Sequence, residues 1–182
     1  MTSKTSKTAV ELAKVFGYLT LGEVAAIKLI ASGFDRNPIF VNVGAGSGTS
    51  GMAMTEGNPR AKIFTVDCSG GGPNGGLKNE YNAFKHSGKT MPIQILETSH
   101  NAARAWPKAS KIDFVFVDDG HEAPEVRGDI EGWLPHMKEG GVIAFHDYGA
   151  NDWPHVKMVV DELMLSKFDK FLHVDNVIAF KV

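Results

Sequence analysis

The sequence predicts an α/β fold, with a mostly parallel sheet covered by helices on both faces and an antiparallel hairpin at the C-terminus. Three observations carry this expectation. Short continuous apolar runs alternate with segments of helical period, the pattern of strands buried on both sides. Glycine-rich or acidic segments follow several of those runs, where a parallel sheet presents the carboxyl ends of its strands to a ligand. The last two apolar runs are separated only by Asp175-Asn176, a spacing suited to a tight hairpin.

The elements follow in order. Thr20-Leu-Gly-Glu23 has capping-box spacing, and Val24, Ile27 and Ala31 then share one helical face. Residues 39–43 form a strand that runs directly into Gly44-Ala-Gly-Ser-Gly48. A short helix over 49–56 is stopped by Gly57-Asn-Pro59. Residues 61–67 make the second strand, whose end opens into Ser69-Gly-Gly-Gly-Pro-Asn-Gly-Gly76, read as a flap. Two further units pair 77–86 with 92–96 and 99–106 with 112–117. Val126, Ile130, Trp133, Leu134 and Met137 mark one face of a helix that Lys138-Glu-Gly-Gly141 ends, before a strand over 142–145. Val156, Val159, Val160, Leu163 and Met164 mark the last helix, and 171–174 with 177–180 form the hairpin.

Bulk properties narrow the function. The chain has 182 residues, 43% of them hydrophobic, so one domain over 1–182 with an ordinary core is expected. The first 19 residues are read as an N-terminal segment able to act as a lid. The 20 glycines of the chain follow no three-residue period, which excludes a collagen-like chain. Nineteen basic against 21 acidic residues leave a formal charge of -2, without the basic footprint of nucleic-acid binding. Cys68 is the single cysteine, so no internal disulfide forms. No apolar run approaches membrane-spanning length, and Met1-Thr-Ser-Lys-Thr-Ser-Lys7 lacks the apolar stretch of a secretory signal. The expectation is a soluble cytoplasmic protein with a small-molecule partner, contacting neither nucleic acid nor membrane.

Chemistry is expected where strands end. The Gly44–Gly48 loop brings backbone close to a ligand, and the helix behind it offers free N–H groups. Asp67 ends the second strand 23 residues after Gly44, where a carboxylate can accept both hydroxyls of a ribose. A nucleoside cofactor follows from the pair. Gly44-x-Gly46-x-Gly48 is the spacing of S-adenosylmethionine enzymes, while Gly46-x-Gly48-x-x-Gly51 matches a dinucleotide fingerprint. The first is favoured because Gly44 itself lies in the turn. Asp118-Asp-Gly-His121 and His146-Asp147 follow the fourth and fifth strands, and carboxylate with imidazole can hold a divalent cation or accept a proton. Asp129 borders the apolar stripe of its helix, so it is expected to be partly buried and to need a partner.

Phe40-Val-Asn-Val-Gly-Ala-Gly-Ser-Gly48, Asp67 and Asp113-Phe-Val-Phe-Val-Asp-Asp-Gly-His121 resemble the class I S-adenosylmethionine-dependent methyltransferases. The run from Asp129 through Gly-Gly-Val-Ile-Ala-Phe-His-Asp147 is similar to the group known as methyltransferase domain 24. The resemblance covers roughly residues 20–165. It implies a Rossmann-like three-layer sandwich with a seven-stranded sheet. It also implies that Gly44, Gly46 and Gly48 pass beneath the methionine part of the cofactor and that Asp67 holds the ribose, with Ala45 and Cys68 as further cofactor-binding candidates. Thr98 and Ser99 would lie near adenine, and Asp118 is a further cofactor-binding candidate. Asn42 stands where the family commonly has an acidic residue, so contacts to the cofactor's amino group would differ. In metal-dependent O-methyltransferases of this fold the corresponding strand ends bind magnesium. Asp118, His146 and Asp147 occupy those places, and a histidine ligand suits manganese or zinc better.

The reaction expected is methyl transfer to a small molecule, at oxygen, with His121 or His146 as base and Asp118 assisting. A cation is the alternative means of activating the acceptor, and Tyr148 and Trp153 are candidate walls of its pocket. A nicotinamide-dependent oxidoreductase and a non-catalytic cofactor-binding module are the competing classes.

Overall fold

The computed structural model describes residues 8–71 and 75–182. Seven strands form one sheet: β1 (Ile39–Val43), β2 (Lys62–Asp67), β3 (Ile93–Leu96), β4 (Ile112–Val117), β5 (Met137–Phe145), β6 (Lys170–Val174) and β7 (Val177–Lys181). Their spatial order is β3-β2-β1-β4-β5-β7-β6. The first five run parallel, and β7 lies antiparallel to both β5 and β6. The chain reverses its direction of travel across the sheet between β1 and β4, so the crevice for a ligand lies beyond those strand ends.

Helices cover both faces. On one face lie α1 (Ala9–Phe16), α2 (Leu21–Ser32), α3 (Thr49–Gly57) and α4 (Leu77–Phe84), whose buried residues pack with Phe40, Phe114, Phe116 and Ala144. On the other lie α5 (Ser99–Ala105), α6 (Ala123–Trp133) and α7 (Pro154–Val160), packed on Val41, Val43, Val115 and Ile143. Alternate residues of β1 and β4 therefore enter opposite cores, and both strands are buried along nearly their whole length. This is the three-layer sandwich that the alternation of apolar runs implies.

Two elements depart from the sequence reading. The helical face taken to reach Met137 stops at Trp133, and a 3-10 turn over Leu134–His136 leads into β5 at Met137. Pro135 is the reason, because it has no N–H to donate to the preceding turn. The second departure is α1, which lies in the N-terminal segment. Thr8 and Glu11 cap it reciprocally, and Ala9, Leu12 and Ala13 are buried in the core. Residues 1–7 and the middle of the glycine loop, 72–74, are outside the described residues. The end of that loop is tied down, since the Gly76 N–H donates to the Gly46 carbonyl at 2.9 Å.

Candidate functional site

The strand ends meet through backbone hydrogen bonds that continue the sheet. The Asp118 N–H donates to Val43 O at 2.9 Å, and the His146 N–H donates to Val117 O at 3.0 Å. Gly44, Asp118 and His146 are therefore neighbours. The approach is so close that a Cβ on Gly44 would lie 1.9 Å from the Asp118 carbonyl oxygen, with φ at +89°. Gly46, at φ +49°, differs: a Cβ there would meet nothing within 4 Å. Glycine at 44 thus serves contact between strands, and glycine at 46 keeps a surface clear.

That surface is the floor of a cavity of about 770 Å³, lined by Gly44, Ala45 and Gly46 and bordered by Asp67, Cys68 and Asp118. Asp67 accepts hydrogen bonds from Ala45 N at 2.8 Å and Ser69 N at 2.6 Å, one on each carboxylate oxygen. Each oxygen keeps a second acceptor position, which suits a pair of vicinal hydroxyls. Cys68 and Asp119 also border a second cavity of about 390 Å³, which holds Thr98, Ser99 and Asp129. Asn42 and Gly48 line neither cavity. Asn42 is fully buried and donates through Nδ2 to the Gly44 carbonyl at 2.9 Å, while its Oδ1 has no partner among the described residues. Gly48 packs under α4, where a Cβ would come 2.9 Å from Glu80 Cα.

At the other side of the main cavity stand Tyr18, Leu19, His121 and Trp153. His121 Nε2 is 2.7 Å from Asp147 Oδ2, and its ring stacks on Trp153 with centroids 4.3 Å apart. The hydrogen bond to Asp147 raises the His121 pKa, more than burial lowers it. Asp147 adopts φ +56°, a left-handed conformation that a short acidic side chain tolerates.

His146 is held on both nitrogens. Its Nδ1 lies 3.1 Å from Asp118 Oδ1 and 3.2 Å from Asp147 Oδ2, and its Nε2 lies 3.4 Å from Glu23 Oε2. Burial alone would depress its pKa, but hydrogen bonds to Asp118, Asp147 and Glu23 outweigh that and raise it to about 12. The same contacts hold Asp147 well below the usual carboxylate range against the opposing effect of burial. Both nitrogens of His146 thus face carboxylates, which favours its protonated form. Asp118, His121 and Asp147 each bring one ligand atom within 4.8 Å of the others. Of the three residues expected to hold a cation, Asp118 and Asp147 are in this cluster, whereas His146 is not and His121 takes the third position.

The family model of a methyltransferase domain, group 24, matches residues 41–148, more than half of the chain. This chain belongs to that family of methyltransferases. Its strand order β3-β2-β1-β4-β5-β7-β6 gives the seven-stranded sheet expected of the class I S-adenosylmethionine-dependent fold. No curated protein matches it by sequence alone. Among solved structures, the mycinamycin pathway methyltransferase MycE, determined with Mg and S-adenosylhomocysteine, superposes with a TM-score of 0.64 at 17% identity. The match covers 97% of this chain and 55% of MycE, so the methyltransferase described here spans about half the length of that relative. The TDP-rhamnose 3'-O-methyltransferase CalS11 gives a TM-score of 0.65 at 14% identity, over 87% of this chain and 78% of its own. The N-methyltransferase NodS from Bradyrhizobium japonicum gives 0.57 at 11%, over 87% and 91%. These likenesses concern the fold.

The methyltransferase cavity fits the cofactor. The open face of Gly46 leaves room for backbone approach, Asp67 has acceptor positions left for ribose hydroxyls, and α3 begins at Gly48 with no side-chain cap on its N–H groups. Three lining or supporting residues escape sequence reasoning. Tyr18 and Leu19 precede the α2 cap and carry no motif of their own. Glu23 is visible only as a capping-box residue, and it does accept from Thr20 N at 2.7 Å. It also accepts from Asn176 N at 3.0 Å and faces His146, which ties the hairpin turn to the site. Tyr148 turns away from the cavity and donates to Asp161 at 2.7 Å.

Proposed function

We propose that this methyltransferase acts on a hydroxyl of a small molecule that enters past Tyr18, Leu19 and Trp153, with His121 as the proton acceptor. The observation that carries the reading is the His121–Asp147 pair at the cavity wall, 2.7 Å apart and braced by Trp153. S-adenosylmethionine supplies an electrophilic methyl group. Gly44, Ala45, Gly46 and Asp67 hold and orient it, and Cys68, Thr98 and Ser99 border the space for its base. Displacement at a methyl carbon needs alignment more than covalent help, so positioning and proton removal are what the protein contributes. With Nε2–H donated to Asp147, Nδ1 of His121 is left to take the hydroxyl proton, and Asp147 stabilises the imidazolium that results. His146, already charged and held by three carboxylates, orients Asp118 and Asp147 rather than exchanging a proton. A formal charge of -2 supports a small acceptor over nucleic acid.

A second reading has its own observation, the clustering of Asp118, His121 and Asp147. A divalent cation there would lower the acceptor's pKa and position its oxygen. One experiment separates the two. Release of S-adenosylhomocysteine is followed across a panel of hydroxylated small molecules, with and without chelator, for wild type and His121→Ala. The base reading expects activity indifferent to chelation and at least ~100-fold weaker in the variant, with cofactor affinity unchanged. Loss on chelation, restored by magnesium or manganese, favours the cation. Full activity of His121→Ala without added metal refutes both.

A further inference from the structure

The main cavity is acidic on its floor and apolar at its entrance. Tyr18, Leu19 and Trp153 line that entrance. α1 ends at Phe16, and Gly17, at φ +73°, turns the chain between Phe16 and Tyr18. The two rings lie parallel, with centroids 6.5 Å apart and planes 4° apart. Both keep about half of their surface open, 47% for Phe16 and 48% for Tyr18, and Trp153 is 40% exposed. Val15 and Leu21, which flank this stretch of chain, are exposed as well. Large apolar side chains left open side by side at a cavity mouth mark a contact surface. Phe16 extends that surface outward from Tyr18 as an apolar shelf.

The charges in the cavity say what the contact excludes. Asp67, Asp118, Asp119 and Asp147 line it against two histidines, His121 and His146, and no lysine or arginine lines it among the described residues. Lys78, whose stem lies beside Gly71, is outside the lining. A phosphate or carboxylate on the acceptor would lose water beside carboxylates and gain no lysine or arginine partner, which is costly. The next step rests on hydroxyl methylation at this cavity, as given under the proposed function. We infer that the acceptor is a lipophilic hydroxyl compound without an anionic group, its hydroxyl directed to His121 and its apolar body running out past Tyr18, Leu19 and Trp153 onto Phe16. The rings favour each methylene they cover, and the carboxylates below disfavour acceptors carried on a phosphate, a nucleotide or an acid.

Release of S-adenosylhomocysteine by the full chain tests this with two series of acceptors, para-alkylphenols and primary alkanols of increasing chain length. Each member is matched by one whose chain ends in a carboxylate. KM is expected to fall at least ~2-fold per added methylene until the shelf is covered. The carboxylate-ended members should be at least ~10-fold poorer in kcat/KM. Phe16→Ser, a change at an exposed ring, should remove most of the gain from chain length by raising KM for the long members. Transfer that depends on His121 but is indifferent to chain length, or that favours the carboxylate-ended members, overturns the inference and leaves hydroxyl methylation standing. Absence of transfer to every hydroxyl compound overturns both. A dimer in sedimentation that Phe16→Ser dissociates, together with a flat chain-length dependence, assigns the shelf to a second copy of the chain instead. The wild-type series decides even where the substitution impairs folding.

Discussion

Glu80 offers a quantitative test of how the glycine loop is held. It lies on α4, is fully buried, and accepts from Thr65 Oγ at 2.8 Å and from Gln94 Nε2 at 2.9 Å. Its Oε1 would lie 2.6 Å from a Cβ on Gly51, so this carboxyl is wedged against the helix behind the loop. Burial raises its pKa from 4.5 to about 7, with the hydrogen bonds from Gln94 and Thr65 only partly offsetting it and Asp67 adding repulsion. Between those values the folded chain binds a proton that the unfolded chain has released, so stability falls as pH rises through the window. The contribution is complete below the unfolded value and lost above the folded one. A shift of this size corresponds to about 3 kcal/mol. Glu80→Gln replaces the acid by a neutral amide of the same shape, and Thr65 can turn its hydroxyl to accept. Urea unfolding at several pH values should show the variant close to wild type near pH 4.5. It should become progressively more stable than wild type towards pH 7, by about 1–3 kcal/mol, with the gap constant above. A gap independent of pH would refute the argument that Glu80 is strained by its own ionisation.

Gly44→Ala must displace the end of β4, where a Cβ would come 1.9 Å from Asp118 O, and should lose about 3 kcal/mol or more of stability. Gly46→Ala meets open space and should lose only about 1–2 kcal/mol, yet bind S-adenosylhomocysteine at least ~10-fold more weakly because its methyl enters the cavity. Melting curves with calorimetry check the pair, and a larger stability loss at 46 than at 44 would contradict the packing described. Asp67→Ala removes the acceptor for Ala45 N and Ser69 N. It should abolish the thermal shift that the cofactor, at ~100-fold excess over its dissociation constant, gives through about 2.7 kcal/mol of added stability. A shift of undiminished size would remove Asp67 from the ribose role.

The strands were legible because burial on both faces demands unbroken apolar runs, and polar residues mark where each one leaves the sheet. Residues 39–43 and 112–117 coincide with β1 and β4. Helix ends were less legible, since periodicity continues past a terminus when the next element also buries its first residue. Met137 is such a case, apolar on the helical face and apolar again as the first residue of β5. The capping box at Thr8 and Glu11 has the same form as that at Thr20 and Glu23, but the helix it opens is only eight residues long and its apolar face is short.

The site divides along the same physical line. Candidate residues that lie just past a strand end, such as Asp67, Asp118, His121 and Asp147, are legible by position, because the sheet converges them whatever the intervening helices do. Glu23 is not at a strand end and lies 123 residues from His146, so its local role as a cap fully accounts for it in sequence. Only tertiary packing turns the same carboxylate towards an imidazole while its other oxygen accepts from the hairpin turn. One side chain thereby fixes the start of α2, the β6–β7 turn and the orientation of His146. Tyr18 and Leu19 are carried to the cavity by that junction, just ahead of the cap. The proposed acceptor entrance is thus built by the part of the chain that carries no motif, on a frame set by a residue whose motif points elsewhere.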